Sequence, residues 1–222
     1  MKLTVFNGSP RGKKSNSTLL MAQFLHGFAS SGDHEYKIVY LVQTRQVADH
    51  VRDFREAENA VLIFPLYTDA MPGIVKLFIE ALEPLVGKSD NSSLGFIIQS
   101  GFAEAHHSRY VGRYMEKLAK RLNGTHTGTV VRGGVEGIQI MPPWMTKKLY
   151  KLFFALGAAY GRTGRFDPDV IKKLAPYEGR SRRRRIMERI ARVLGADNFY
   201  WDSQLKSNNA FEDRFAHPFK DF

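Results

Sequence analysis

The sequence predicts an α/β protein: a parallel five-stranded sheet wound on both faces by helices. Two observations carry this. Five short apolar, β-branched runs alternate with segments whose apolar residues recur at helical spacing, and such alternation implies parallel strands joined by crossover helices. Runs such as "AVLIF" are apolar without a break, as strands covered on both sides must be.

The strands are read at Leu3 to Phe6, Tyr36 to Val42, Ala60 to Leu66, Leu94 to Gln99 and Thr127 to Val131, each bounded by Gly, Ser, Asn, Asp or Pro. Between them, Leu19, Leu20, Phe24, Leu25 and Phe28 mark a first helix, and Val47, Val51 and Phe54 a second. Ile74, Val75, Phe78, Ile79 and Leu82 mark the third, and Val111, Tyr114, Met115, Leu118 and Leu122 the fourth. After Val131 the character changes, with Gly133, Gly134 and Gly137 followed by "MPPWM". A helix from Thr146 to Tyr160, a Gly-rich turn, a basic helix around Arg182 to Leu194 and an irregular aromatic end complete the chain. The expected division is a domain over residues 1–140 and a basic, mainly helical extension over 141–222 packed on it, with Trp201, Phe211, Phe215 and Phe219 anchoring its end against the core or a partner subunit.

Composition removes several classes of function. The 222 residues include no cysteine, so disulfides, thiolate metal centres, iron–sulfur clusters and cysteine nucleophiles are excluded. The longest apolar stretch, Leu149 to Gly161, is broken by Lys151 and falls short of a membrane span, and the first apolar run is too short for a signal peptide. The expectation is a soluble, cytoplasmic protein. The net charge of +11 favours anionic partners, and it is concentrated late: from Met141 onward there are 17 Lys+Arg against 9 Asp+Glu.

A sheet of this kind places its ligand crevice at the carboxyl ends of the strands, beside a switch in strand order. The first loop there, "NGSPRGKKSNSTLL", leaves the strand at Gly8, turns at Ser9 and Pro10, and offers Ser15, Asn16 or Ser17 as the cap of a helix beginning near Thr18. A helix start attracts an anion through its amides and dipole. Ser9, Ser15, Asn16, Ser17 and Thr18 can donate to phosphate oxygens, and Arg11 can add a charged contact. Known phosphate loops do not match. Three residues rather than four separate Gly8 from Gly12, and Lys14 follows Lys13, which rules out a Walker A loop. Pro10 stands where a dinucleotide fingerprint needs its second glycine. An ordinary, well-capped polar turn is the competing reading.

The second loop, "PLYTDAMPGIVKLFIEAL", brackets Tyr67, Thr68, Asp69 and Met71 between Pro65 and Pro72, with Pro72 suited to the first turn of the next helix. An aromatic and backbone amides on a rigid loop can cradle a flat heterocycle; simple packing of Tyr67 and Met71 is the alternative. Ser100, Gly101 and Phe102 then line the other side of the crevice. Adjacent His106 and His107 have no further ligand at useful spacing, so a solvated helix start is expected there rather than a metal; Glu104 either caps that helix or faces a substrate.

Taken together, "GSPRGKKSNST", "PLYTDAMPGIVKLFIE" and "SGF" after strands one, three and four resemble the flavodoxin-like NAD(P)H-dependent flavin reductase superfamily, which includes FMN, quinone and azo reductases. The resemblance covers about residues 1–140 and implies the flavodoxin-like strand order 2-1-3-4-5. It also implies that Ser9, Arg11, Ser15, Asn16, Ser17 and Thr18 bind the FMN phosphate. Pro65, Leu66, Tyr67, Thr68, Asp69 and Met71 would then run along the isoalloxazine, and Ser100, Gly101 and Phe102 complete the pocket. The implied activity is hydride transfer from NAD(P)H to flavin N5, then reduction of a quinone, azo or nitro compound, or free flavin. Homodimers or larger homo-oligomers are common in the superfamily, and no obligatory side-chain acid or base is implied. A flavin-binding electron carrier or redox sensor is the rival from another class. A third reading gives "GRSRRRRIMERIARVLG" the central role, binding nucleic acid or an anionic surface, or holding the 2′-phosphate of NADPH; a solvated helix face is the plain alternative.

Overall fold

The computed structural model describes residues 1–89, 92–102 and 106–175, then Ile186, Arg189, Ile190, Val193 and residues 198–216. It divides into two compact units, Met1–Glu178 and Gly179–Phe222. In the first, strands β1 (Lys2–Asn7), β2 (Glu35–Tyr40), β3 (Asn59–Pro65), β4 (Ser93–Gln99) and β5 (Thr125–Arg132) form one parallel sheet in the order β2-β1-β3-β4-β5. Helices α1 (Asn16–Ala29), α2 (Val47–Arg55), α3 (Gly73–Ala81) and α4 (Arg109–Leu122) follow the first four strands, and α5 (Pro143–Thr163) and α6 (Pro168–Leu174) follow the fifth.

Side chains that alternate along each strand feed two separate cores. Phe6, Leu62, Phe64, Phe96 and Ile98 meet Phe54 of α2, Val75 and Phe78 of α3, and Met115 and Leu122 of α4 on one face. Leu3, Val5, Val61, Ile63, Ile97 and Val130 meet Leu20, Phe24 and Phe28 of α1 and Phe153, Leu156 and Tyr160 of α5 on the other. Strand β2, one of the sheet's two edges, carries exposed, charged Glu35 and Lys37, which discourage pairing with another sheet.

Among the described residues, α5 and α1 form the most intimate helix pair. A side chain on Gly157 would run into the Phe24 carbonyl, and one on Gly27 into that of Phe154, so the two glycines let the backbones touch. This contact explains why the first unit runs to Glu178 rather than ending at 140. Residues 143–163 supply the second helix of one layer, and without them the apolar face of α1 would stand in water. Burial pushes the Tyr160 hydroxyl up to about 12, so it is a neutral core group across the physiological range.

The second unit differs from expectation at its end. Helix α7 (Phe199–Ser207) occupies part of the region read as irregular, and Lys206 and Arg214 lie over the Phe211 ring at 4.6 and 4.0 Å. Trp201 and Phe215 are exposed, as are Ile186, Ile190 and Val193. Arg182 to Arg185, Ala191, Leu194 and Phe219 lie outside the described residues, as does Glu104.

Candidate functional site

β1 hydrogen-bonds to both β2 and β3, so the switch in strand order falls at the carboxyl end of β1, where the loop Gly8 to Ser15 emerges. Gly8 is required by close approach: a side chain there would strike Val75 of α3 and press within 3.1 Å of Phe64. Gly12 holds a left-handed φ of +52°, which glycine adopts without strain.

The loop is braced by a buried polar network. Asn7 donates to Thr18 Oγ1 at 3.0 Å and accepts from the Ser9 amide at 2.9 Å. Ser15 is the N-cap of α1, accepting from the Thr18 amide while its hydroxyl donates to the Gly12 carbonyl at 2.7 Å. Thr18 donates to the same carbonyl at 3.0 Å. Ser17 accepts from Gln99 of β4 at 3.3 Å. Asn16 reaches the turn after β5: its amide nitrogen donates to the carbonyls of Val135 and Glu136 at 2.8 and 3.1 Å, and its oxygen accepts from Gln139 at 2.7 Å.

These bonds revise how the first loop can hold an anion. Of the side chains expected to grip a phosphate, Ser15, Asn16 and Thr18 have their donors turned to protein carbonyls. What keeps donor capacity is the start of α1, whose amides at Asn16 and Ser17 have no partner within the helix, the buried hydroxyls of Ser9 and Ser17, which accept from the Arg11 amide and from Gln99, and the half-exposed Arg11 guanidinium. That donor set suits a phosphate monoester: two amides, two hydroxyls and one cation.

The second loop is built differently. After buried Pro65 and Leu66, Tyr67 and Ala70 exchange backbone hydrogen bonds of 2.9 and 3.0 Å across a two-residue turn. Thr68 and Asp69 at its tip both have positive φ, +47° and +63°, the signature of a type I′ turn. Threonine adopts this conformation only under strain. Pro72 stands one place before α3 rather than inside its first turn. Tyr67 is exposed and Met71 half-buried.

In the third loop the Ser100 hydroxyl donates to the Phe102 carbonyl at 3.1 Å, and Phe102 projects half-exposed. The Phe102 ring stacks on His107 with centroids 4.6 Å apart, and His107 Nδ1 lies 2.6 Å from Asp69 Oδ1. His107 is therefore not a solvated helix start: it ties the third loop to the strained turn of the second. The His106 ring adjoins it at 4.0 Å. Among the described residues, no group of three or more His, Cys, Asp or Glu is placed to hold a metal.

The three loops thus meet along one edge, the carboxyl end of β1, β3 and β4, and all fifteen residues expected there lie on it. Sequence reasoning missed Asn7, Gln99, Glu136 and Gln139. Asn7 carried a signal, standing at the strand end against Gly8; Gln139 carried none, because its partner is 123 residues away.

Residues 1–85 match a family model described as having a flavodoxin-like fold. Solved structures extend the likeness. An FMN-dependent NADH-azoreductase from Bacillus anthracis, in complex with FMN, is 13% identical with a TM-score of 0.56, over 72% of this chain and 100% of that one. An NADH:FMN oxidoreductase is 12% identical with a TM-score of 0.55, over 76% and 92%. An NAD(P)H:quinone oxidoreductase from Methanothermobacter marburgensis is 14% identical with a TM-score of 0.51, over 75% and 97%. No curated protein matches the chain. Strand order, helix placement and these likenesses agree that the chain has the flavodoxin-like fold.

Proposed function

We propose that the protein is an FMN-binding oxidoreductase that accepts hydride from NAD(P)H and passes electrons to a small acceptor such as a quinone, an azo or nitro compound, or a free flavin. One observation carries the reading most. The β1 loop presents amides, hydroxyls and a cation suited to a phosphate monoester, and the β3 and β4 loops stand beside it with Tyr67 and Phe102 exposed. The names of the similar solved structures support the same chemistry.

FMN would supply the redox chemistry, taking up hydride and releasing electrons to the acceptor. This chain's residues bind and orient. The Asn16 and Ser17 amides, the Ser9 and Ser17 hydroxyls and Arg11 would hold the phosphate. Pro65 to Met71 would lie along the flat ring, and Ser100 to Phe102 would close the pocket. The backbone of the turn at Thr68 and Asp69 is held in place by the Asp69–His107 contact. No side chain is assigned a catalytic proton. Exposed Leu77, Val86, Tyr110 and Tyr114 on the α3–α4 face support pairing with a second copy, which the mass of the purified protein in solution would test.

The purified protein is expected to be yellow, or to become so on adding FMN, and to bleach when NADH or NADPH is added without oxygen. The absence of both bound flavin and measurable FMN affinity would overturn the reading. A stable one-electron reduced flavin with no NAD(P)H oxidation would instead indicate an electron carrier, against which the net charge of +11 argues, since carriers of this fold are typically acidic.

A further inference from the structure

The segment "GGVEGIQI" after β5 has so far only braced the first loop, yet it also delivers a carboxylate to the crevice. Its turn, Glu136–Gln139, is fixed from both sides. Asn16 binds the Val135 and Glu136 carbonyls, Gln139 donates to the Lys14 carbonyl at 3.3 Å, and Val135 and Ile138 are buried in the core. From this anchored backbone the Glu136 side chain leaves in a defined direction. Its Oε1 lies 3.4 Å from the Arg11 guanidinium, and a Cβ placed on Gly101 would stand 3.3 Å from its Cβ and 3.6 Å from its Oε2. The carboxylate therefore sits between the β1 loop and the β4 loop, on the cation that an incoming phosphate would use.

We propose that Glu136 sets how strongly this site discriminates phosphorylated from unphosphorylated flavin, by competing with the flavin phosphate for Arg11. The inference rests on the flavin reading above. The Arg11–Glu136 pair is half-exposed at both ends and long for a charge-assisted bond, so its own strength is small and it exchanges readily. A phosphate monoester carries nearly two charges and accepts from a guanidinium with two oxygens at once. It displaces the carboxylate, but the displaced carboxylate stays nearby, because the turn that bears it is pinned by Asn16 and Gln139. Glu136 thus opposes phosphate binding twice, by occupying Arg11 beforehand and by repelling the bound dianion afterwards. The consequence is a site that holds FMN less tightly than its donors alone would allow. Riboflavin, which has no phosphate, is indifferent to both effects.

The test compares FMN, riboflavin and inorganic phosphate on the full chain. Glu136→Gln keeps the side-chain shape and every backbone bond of the turn, and is expected to tighten FMN binding by about tenfold at low salt while riboflavin changes by less than about twofold. The FMN gain shrinks as salt is raised, and shrinks again when Arg11 is replaced by Ala. Phosphate binding, followed by the shift in melting temperature, should strengthen in parallel. An unchanged ratio of FMN to riboflavin affinity in Glu136→Gln overturns the inference. If the wild-type chain binds neither flavin, the flavin reading fails instead; the phosphate arm then decides whether Glu136 still competes for Arg11, and no response there sinks that too.

Discussion

On the β1 side of the crevice nearly every polar side chain is buried and bonded within the protein; on the β3 and β4 side the loops are exposed and held by a strained turn and a His–Asp contact. The difference teaches how one rim can meet two demands. A phosphate offers directional oxygens and must be met by donors at fixed positions, which a satisfied buried network provides. A flat heterocycle is held by shape and backbone, and a two-residue turn can supply both without burying side chains.

The largest expected effect tests what stands behind the ordered half. Helix α1 carries the amides of the β1 loop and lies directly on α5 through Gly27 and Gly157. Gly157→Val would force the helices apart and should lower unfolding stability by about 3–5 kcal/mol in urea titrations. A loss under 1 kcal/mol would mean that the β1 loop does not depend on this seat. Next in size is Asn16→Ala, which removes the partners of the Val135 and Glu136 carbonyls and of the Gln139 amide at a 3% exposed position. The expected cost is about 2–3 kcal/mol, with weaker FMN binding. If only flavin binding fell, Asn16 would be a ligand rather than a brace.

Asn16 also shows how far the sequence could be read. Strands, helices and strand order follow from runs and spacings that are local, and Ser15 was among the cap candidates because a cap is recognised within three residues of its helix. The placement of the fifteen candidate site residues follows from the same local signals, since loops at alternate strand ends must converge. Their individual roles do not. Whether Asn16 points at an anion or at Val135 depends on a turn 119 residues away, and whether His107 meets solvent or Asp69 depends on how two loops lean. The extent of the first unit was hidden for a related reason: Gly157 reads locally as a helix weakener, and its use becomes visible only against α1.

The exposed half offers a change of opposite sign. Thr68→Gly should stabilise the protein by about 1 kcal/mol, because a β-branched residue at φ +47° is strained and glycine is not. Destabilisation would show that the Thr68 side chain makes contacts that outweigh its strain, and the contrast between the two halves would weaken. Asp69→Asn belongs beside it, expected to cost under about 1 kcal/mol because the carboxylate is largely exposed.

The smallest effect at neutral pH supplies the baseline against which acid titrations of either half must be read. His50 of α2 is 3% exposed, and its Nε2 has no hydrogen-bond partner among the described residues. Burial lowers its pKa below 6.5, and the nearby Asp53 and Asp49 carboxylates only partly oppose this. The unfolded chain takes up a proton on this ring near pH 6.5, and the folded chain only at lower pH. Stability from the neutral ring is therefore complete above about pH 7 and declines as pH falls toward the folded value, below which the decline stops. His50→Leu removes that titration. Urea midpoints compared between about pH 7.5 and 5.5 should shift less in the variant than in the wild type. An equal shift in both would trace the acid sensitivity to another group.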